Sequence, residues 1–312
     1  MMVIFQNKII YMPSMPPFSR QEKIADYEQV CRPIVWEEQR IKSLDGVEIA
    51  ICVGRNVMRA DEKEAKEVRR TEDVVILYFQ GLIDVRVNND SRNGSSIPPR
   101  LPQLSAVLKE LGDRTYTLVA VSYRGFWTSR GRASQRGIER DAIAALNWTR
   151  QTYLHPNTCL VFWGQSIGAG VATFLAASDH HWHQGFSKQS KPPALILETP
   201  FVSIRSMLLA LYPQRWLPYR YLGPFLRNWW DSEGAIRSMQ ITRAKKERRK
   251  VLIISADKDE LVPAEQADII EELCSKHEMD VSRTRVRGAL HTEATFRGDG
   301  RNAVVAFLKR VI

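Results

Sequence analysis

The sequence predicts an α/β protein: a mostly parallel, doubly wound sheet with helices on both faces. Three observations predict it. Short continuous apolar runs, among them VVILYFQG, CLVFWG, ALILETP and KVLIISAD, read as strands covered on both sides. Between them lie stretches with helical spacing, such as LPQLSAVLKELG and GIERDAIAALNWTRQTY. The two kinds alternate along the chain, which places helical crossovers between parallel strands. A length of 312 residues suffices for one large domain of this kind.

Taken in order, residues 1–34 are punctuated by Pro13, Pro16, Pro17 and Pro33 and read as an irregular N-terminal segment. WEEQRIKSLDGVEIAICVG reads as two strands joined by a turn at Asp45-Gly46. Residues 58–73 are dense in mixed charge and read as an exposed excursion. VVILYFQG (74–81) is a strand, followed by a long polar loop and by the helix LPQLSAVLKELG, which stops at Gly112. TYTLVAVSYRG is a strand, GIERDAIAALNWTRQTY an amphipathic helix, CLVFWG a strand and SIGAGVATFLAA a helix packed through small residues. ALILETP and KVLIISAD are strands, ADIIEELCSKH a helix, SRTRVRG a short last strand and NAVVAFLKRVI a closing helix. Residues 201–245 interrupt the alternation. They hold Tyr212, Trp216, Tyr219, Tyr221, Phe225, Trp229 and Trp230, too aromatic for a solvated connection. The expected organisation is residues 1–34 outside one α/β domain over 35–312, with an insertion at about 201–245.

The composition bounds the function class. Charged residues make up 26%, ordinary for a globular protein, with a basic balance of 45 Lys+Arg against 35 Asp+Glu, a net of +10. Basic residues alternate with acids, and no helix-turn-helix, zinc or RNA-recognition signature is present, so no nucleic-acid partner is expected. Cys31, Cys52, Cys159 and Cys274 lie far apart without metal spacing, which points to buried free thiols in a reducing, intracellular compartment. His180, His181 and His183 lie in a polar stretch without a companion acid pattern, so no metal site is expected there. The apolar start, MMVIFQNKIIYMPSMPPF, is broken by Gln6, Asn7 and Lys8, and falls short of the ~18 apolar residues of a membrane span. It also lacks the basic n-region of a signal peptide.

The chemistry concentrates in Gly164-Gln165-Ser166-Ile167-Gly168, a G-x-S-x-G between a strand and a helix. A sharp strand-to-helix turn lifts the serine hydroxyl to the C-terminal edge of the sheet, and its crowding demands glycine at Gly164 and Gly168. A serine hydroxyl needs a base, and the base an orienting acid. Downstream of Ser166 the acids of ADKDELVP follow a strand; Asp259 is the better candidate and Asp257 the alternative. Of the two later histidines, His277 ends a charged helix, while His291 lies between the last strand and the last helix, at the serine's edge. The set Ser166, Asp259 and His291 predicts two-step acyl transfer through an acyl-enzyme, with the oxyanion held by the backbone N–H groups of Ile167 and Leu82. The triad needs no cofactor.

These residues resemble the α/β-hydrolase superfamily. More narrowly, the chain is similar to membrane-associated serine hydrolases of the abhydrolase-domain group, which includes protein depalmitoylases and monoacylglycerol or lysophospholipid lipases. The resemblance rests on Tyr123-Arg124-Gly125 with Ser129, Gly131 and Ser134, on WGQSIGAGVAT, on LILETPFVSIRSM, and on DKDELVP with GALH. NKIIYMPSMPP also resembles the segment that follows the membrane anchor in those proteins. Two departures stand out: Gln80-Gly81-Leu82 replaces the usual His-Gly, and the relatives' N-terminal anchor has no counterpart here, which leaves a short start or peripheral membrane binding.

The resemblance makes residues 201–245 a cap over the site, with Tyr212, Trp216, Tyr221 and Phe225 lining a path for an apolar acyl chain. Arg215, Arg220, Arg227 and RAKKERRK (243–250) are candidates to face an anionic membrane. The expected substrate is a lipid ester, an acyl thioester or an acylated protein. Two other readings are a catalytically silent scaffold on the same fold, favoured by Gln80, and a serine peptidase, disfavoured by the apolar cap.

Overall fold

The computed structural model describes residues 2–12, 19–56, 74–81, 96–111, 116–155, 158–178, 192–212, 214, 216, 221, 223–239 and 248–311. Its centre is an eight-stranded sheet. The strands are β1 (Ile34–Lys42), β2 (Glu48–Asn56), β3 (Val74–Phe79), β4 (Tyr116–Val121), β5 (Cys159–Gln165), β6 (Ala194–Glu198), β7 (Lys250–Ala256) and β8 (Asp280–Val286). Their order across the sheet is β1-β2-β4-β3-β5-β6-β7-β8. β1 pairs with β2, and β2 with β4, antiparallel; every pairing from β4 to β8 is parallel.

β3 shows why the apolar runs are continuous rather than alternating. Val75, Leu77 and Phe79 enter one core, and Val74, Ile76 and Tyr78 the other. The first core is closed by α4 (Gln135–Tyr153), α5 (Ile167–Ala177), α7 (Ser232–Ser238) and α8 (Ala264–Lys276), the second by α3 (Leu101–Glu110) and α9 (Gly298–Arg310). Residues of period two on a strand thus serve two helical layers. The turn predicted at Asp45-Gly46 is present, with Gly46 at a φ of 82°. α4 begins at Ser134, whose hydroxyl accepts the Gly137 N–H as an N-cap. All four cysteines are free and buried.

The N-terminal segment departs from the expected irregularity. Residues Met2–Tyr11 form helix α1, and Glu28–Cys31 the short α2. Prolines begin only at Pro13, so nothing before it breaks a helix. Tyr11 is fully buried, donating to Asn228 Oδ1 at 2.8 Å and accepting from Trp230 Nε1 at 3.0 Å. Gln6 donates to the Phe225 carbonyl and accepts the Arg227 N–H. The helix is therefore held by polar side chains that read as interruptions of an apolar start. Among the described residues, no helix is long and apolar enough to cross a membrane. The charged excursion at 58–73 and the histidines at 180, 181 and 183 lie outside the described residues.

Candidate active site

The serine turn forms because two glycines permit it. Ser166 joins β5 to α5 with φ 53° and ψ −119°, a strained conformation for a residue with a side chain. A Cβ on Gly164 would lie 2.1 Å from the Gly168 carbonyl oxygen, and one on Gly168 2.0 Å from that of Phe79. Neither contact is tolerable. Ser166 donates its N–H to the Glu198 carbonyl at 2.8 Å, and its own carbonyl receives the Ala169 N–H at 2.8 Å. Ile167 is the first residue of α5. Gly81 closes on the turn, its Cβ direction 3.3 Å from Ser166 Cβ. Leu82, the next residue, lies outside the described residues.

Asp259 follows β7 and His291 follows β8, and the structure brings them together. His291 Nδ1 stands 2.9 Å from both Asp259 oxygens. The carboxylate is itself fixed, since Oδ1 accepts the N–H groups of Leu261 at 3.0 Å and Val262 at 2.7 Å. His291 donates its backbone N–H to Glu260 Oε2 at 2.9 Å. Both side chains are nearly sealed, His291 at 2% and Asp259 at 7% exposure. This contact holds the imidazole with Nδ1 toward the acid and Nε2 available to a third group. Among the described residues no hydrogen bond joins Ser166 to His291; they share the C-terminal edge of the sheet. Asp257 turns elsewhere, paired with Arg285 at 2.9 Å. His277 caps the C-terminal end of α8.

Sequence reasoning missed Glu198, the last residue of β6. It is fully buried, and burial raises its pKa. Its signal was the acid that ends the apolar run ALILETP. Glu260, which receives the His291 N–H, was also missed.

The residues expected to line a cap are less enclosed than that expectation requires. α6 (Ile204–Leu211) buries none of its side chains fully. Tyr212, Trp216, Tyr221 and Phe225 are 37%, 78%, 62% and 59% exposed. Arg215, Arg220 and residues 243–247 lie outside the described residues. Arg249 is buried, donating to the Pro193 and Ala176 carbonyls, so it belongs to the body and does not face outward.

No protein-family model matches the chain. The chain is similar to protein bem46 of Schizosaccharomyces pombe, 30% identical over 68% of this chain and 59% of that protein. It is also similar to the lysophosphatidylserine lipase ABHD12 of Danio rerio, 35% identical over 61% of this chain and 44% of that protein. The chain thus spans about half the length of these relatives. Among solved structures, an esterase of Pyrococcus furiosus superposes with a TM-score of 0.59 at 17% identity, covering 91% of this chain and 92% of that one, a likeness of fold. With this sheet order, a serine between strand and helix, and these relatives, the chain belongs to the α/β-hydrolase superfamily, in the group that holds bem46 and ABHD12.

Proposed function

We propose that this protein is a serine hydrolase that cleaves a carboxylic ester or acyl thioester of a lipid or lipidated substrate. The observation that carries the reading is the sealed contact of His291 Nδ1 with Asp259, at the edge where Ser166 occupies its strained turn. In this reading His291 Nε2 removes the Ser166 proton as Oγ bonds to the acyl carbon. The leaving alkoxide or thiolate departs with that proton. Water, deprotonated by the same imidazole, then cleaves the acyl-enzyme and restores the serine. Asp259 remains ionised and stabilises the imidazolium. In this reading a Ser166–His291 hydrogen bond forms when substrate enters, since catalytic hydrogen bonds are commonly completed only in the substrate complex. The Ile167 N–H, at the first turn of α5, is one oxyanion donor, and the N–H of Leu82 the other.

Two features support a lipid acyl group. ABHD12 is named for lysophosphatidylserine hydrolysis. The cap segment also exposes Leu211, Tyr212, Trp216, Tyr221 and Phe225, surface that an acyl chain or a bilayer would cover. Arg205 and Arg227 flank it, which fits peripheral contact with an anionic membrane. The four free, buried thiols fit an intracellular site of action.

Labelling by a fluorophosphonate probe tests the mechanism. Wild type should label, while Ser166→Ala and His291→Ala should lose labelling by about 1,000-fold or more. Equal labelling of wild type and Ser166→Ala would end the reading. Sedimentation with phosphatidylserine vesicles, absent with neutral ones, tests the membrane contact; indifference to lipid charge argues against it.

A further inference from the structure

We propose that Glu198 is a positioning residue whose carboxylate ties the serine turn to the histidine loop and so sets the alignment of Ser166 with His291. The inference rests on the serine-hydrolase reading above and adds a residue outside the triad.

Four donors, two from the end of β5 and two from the loop after β8, converge on this one side chain. From the serine side, Gln165 Nε2 donates to Oε1 at 3.1 Å and Trp163 Nε1 to Oε2 at 3.3 Å. From the histidine side, the Thr295 hydroxyl donates to Oε1 at 2.8 Å and the Thr295 N–H to the same oxygen at 3.3 Å. The backbone of Glu198 continues the tie, because its carbonyl holds the Ser166 N–H. Gln165 directly precedes the nucleophile, and Thr295 stands four residues after the base. One carboxylate therefore spans both.

Every side-chain contact of Glu198 is an acceptor contact. Gln103 Nε2 donates to the Thr295 hydroxyl, so that hydroxyl keeps its own proton for Glu198. The Arg100 guanidinium, buried at the start of α3, adds a positive field. Burial disfavours the charge, and the donors and Arg100 oppose that cost. The next residue, Thr199, is held at φ 44°, unusual for a β-branched side chain. Strain of this kind persists where the surroundings over-determine the backbone.

The test uses the full chain and three variants. Glu198→Met keeps the volume and removes the acceptor. For a p-nitrophenyl ester its kcat should fall about 100-fold, with KM within about threefold of wild type, because misplacement of the reacting groups acts on the chemical step. In peptide-resolved hydrogen exchange, residues 163–168 and 290–296 should lose protection together while the rest of the sheet does not. Glu198→Gln keeps one acceptor oxygen for Gln165 and Thr295 and should recover most of the kcat. Thr295→Val cuts the histidine side alone, should lower kcat about 10-fold, and carries the test if Glu198→Met does not fold. Wild-type kcat in Glu198→Met, or protection lost uniformly across the sheet, overturns the proposal. If the wild type hydrolyses no ester, the serine reading fails, and the exchange pattern still decides whether Glu198 ties the two loops.

Discussion

Two buried arginines near the carboxyl ends of the strands are treated in opposite ways. Arg124, just past β4, is fully engaged. Its guanidinium meets Asp141 Oδ1 at 2.8 Å, Asp45 Oδ2 at 2.8 Å and the Ser43 hydroxyl at 3.0 Å, and its backbone N–H donates to Asp141 Oδ2 at 2.9 Å. Arg100 is more deeply buried, at 1% exposure, yet its Nε, Nη1 and Nη2 find no hydrogen-bond acceptor among the described residues. The first joins the β1–β2 turn, the exit of β4 and helix α4. The second lies at the N-terminal end of α3, in the field of Glu198 and Tyr78. An ion pair that closes on both sides is a device of the fold. A charge without an acceptor among the described residues, beside the candidate site, costs stability that the fold alone does not require.

The largest expected effect falls on the closed pair. Asp141→Ala leaves Arg124 buried beside a lost partner, which costs roughly 3–5 kcal/mol. In a chain of this size that lowers Tm by on the order of 10 °C. A thermal scan checks it, and a Tm within a degree of wild type would remove the distinction between the two arginines.

Arg100 should show the reverse pattern. Arg100→Met replaces a buried charge with no hydrogen-bond acceptor among the described residues by an apolar side chain of similar length, so Tm should hold or rise. Activity should fall only slightly, within about threefold in kcat, because the Glu198 carboxylate loses a positive field but keeps the donors that place it. Ester kinetics beside a thermal scan separate the two effects. A Tm drop matching that of Asp141→Ala would make Arg100 a second fold device.

The same contrast explains what could be read from the sequence. The sheet, its helices, the Asp45-Gly46 turn and the serine turn were legible because each rests on a local pattern: continuous apolar runs, helical spacing, Asp-Gly, and glycines flanking Ser166. Asp259 and His291 were legible by position after strands, and the structure places them in contact. Glu198, Arg100 and Thr295 were not, since a polar residue in an apolar stretch carries no sign of which distant loop will meet it. Helix α1 was obscured for the same reason. Gln6 and Asn7 look like breaks in an apolar run until Phe225, Arg227 and Asn228 supply their partners.

The smallest effect concerns the outer half of the closed network. Hydrogen bonds from Arg124 hold the Asp45 carboxyl well below its ordinary pKa of 3.8. A carboxyl whose folded pKa is depressed contributes stability above its unfolded pKa, and loses that contribution as pH falls through the folded value. Asp45 is partly exposed and also meets Arg140 at 3.1 Å, so its share is about 1 kcal/mol or less. Asp45→Asn should therefore be slightly less stable than wild type from pH 7 down to about pH 5, and the gap should begin to narrow below about pH 4, where the unfolded carboxyl takes up its proton. Glu198 carries the opposite sign, because burial raises its pKa; its ionisation opposes folding as pH rises through the folded value. Urea midpoints of wild type and Asp45→Asn across that range measure the first sign. A gap that widens on acidification would show that Asp45 is not held ionised by Arg124, and that the pair is closed on the Asp141 side alone.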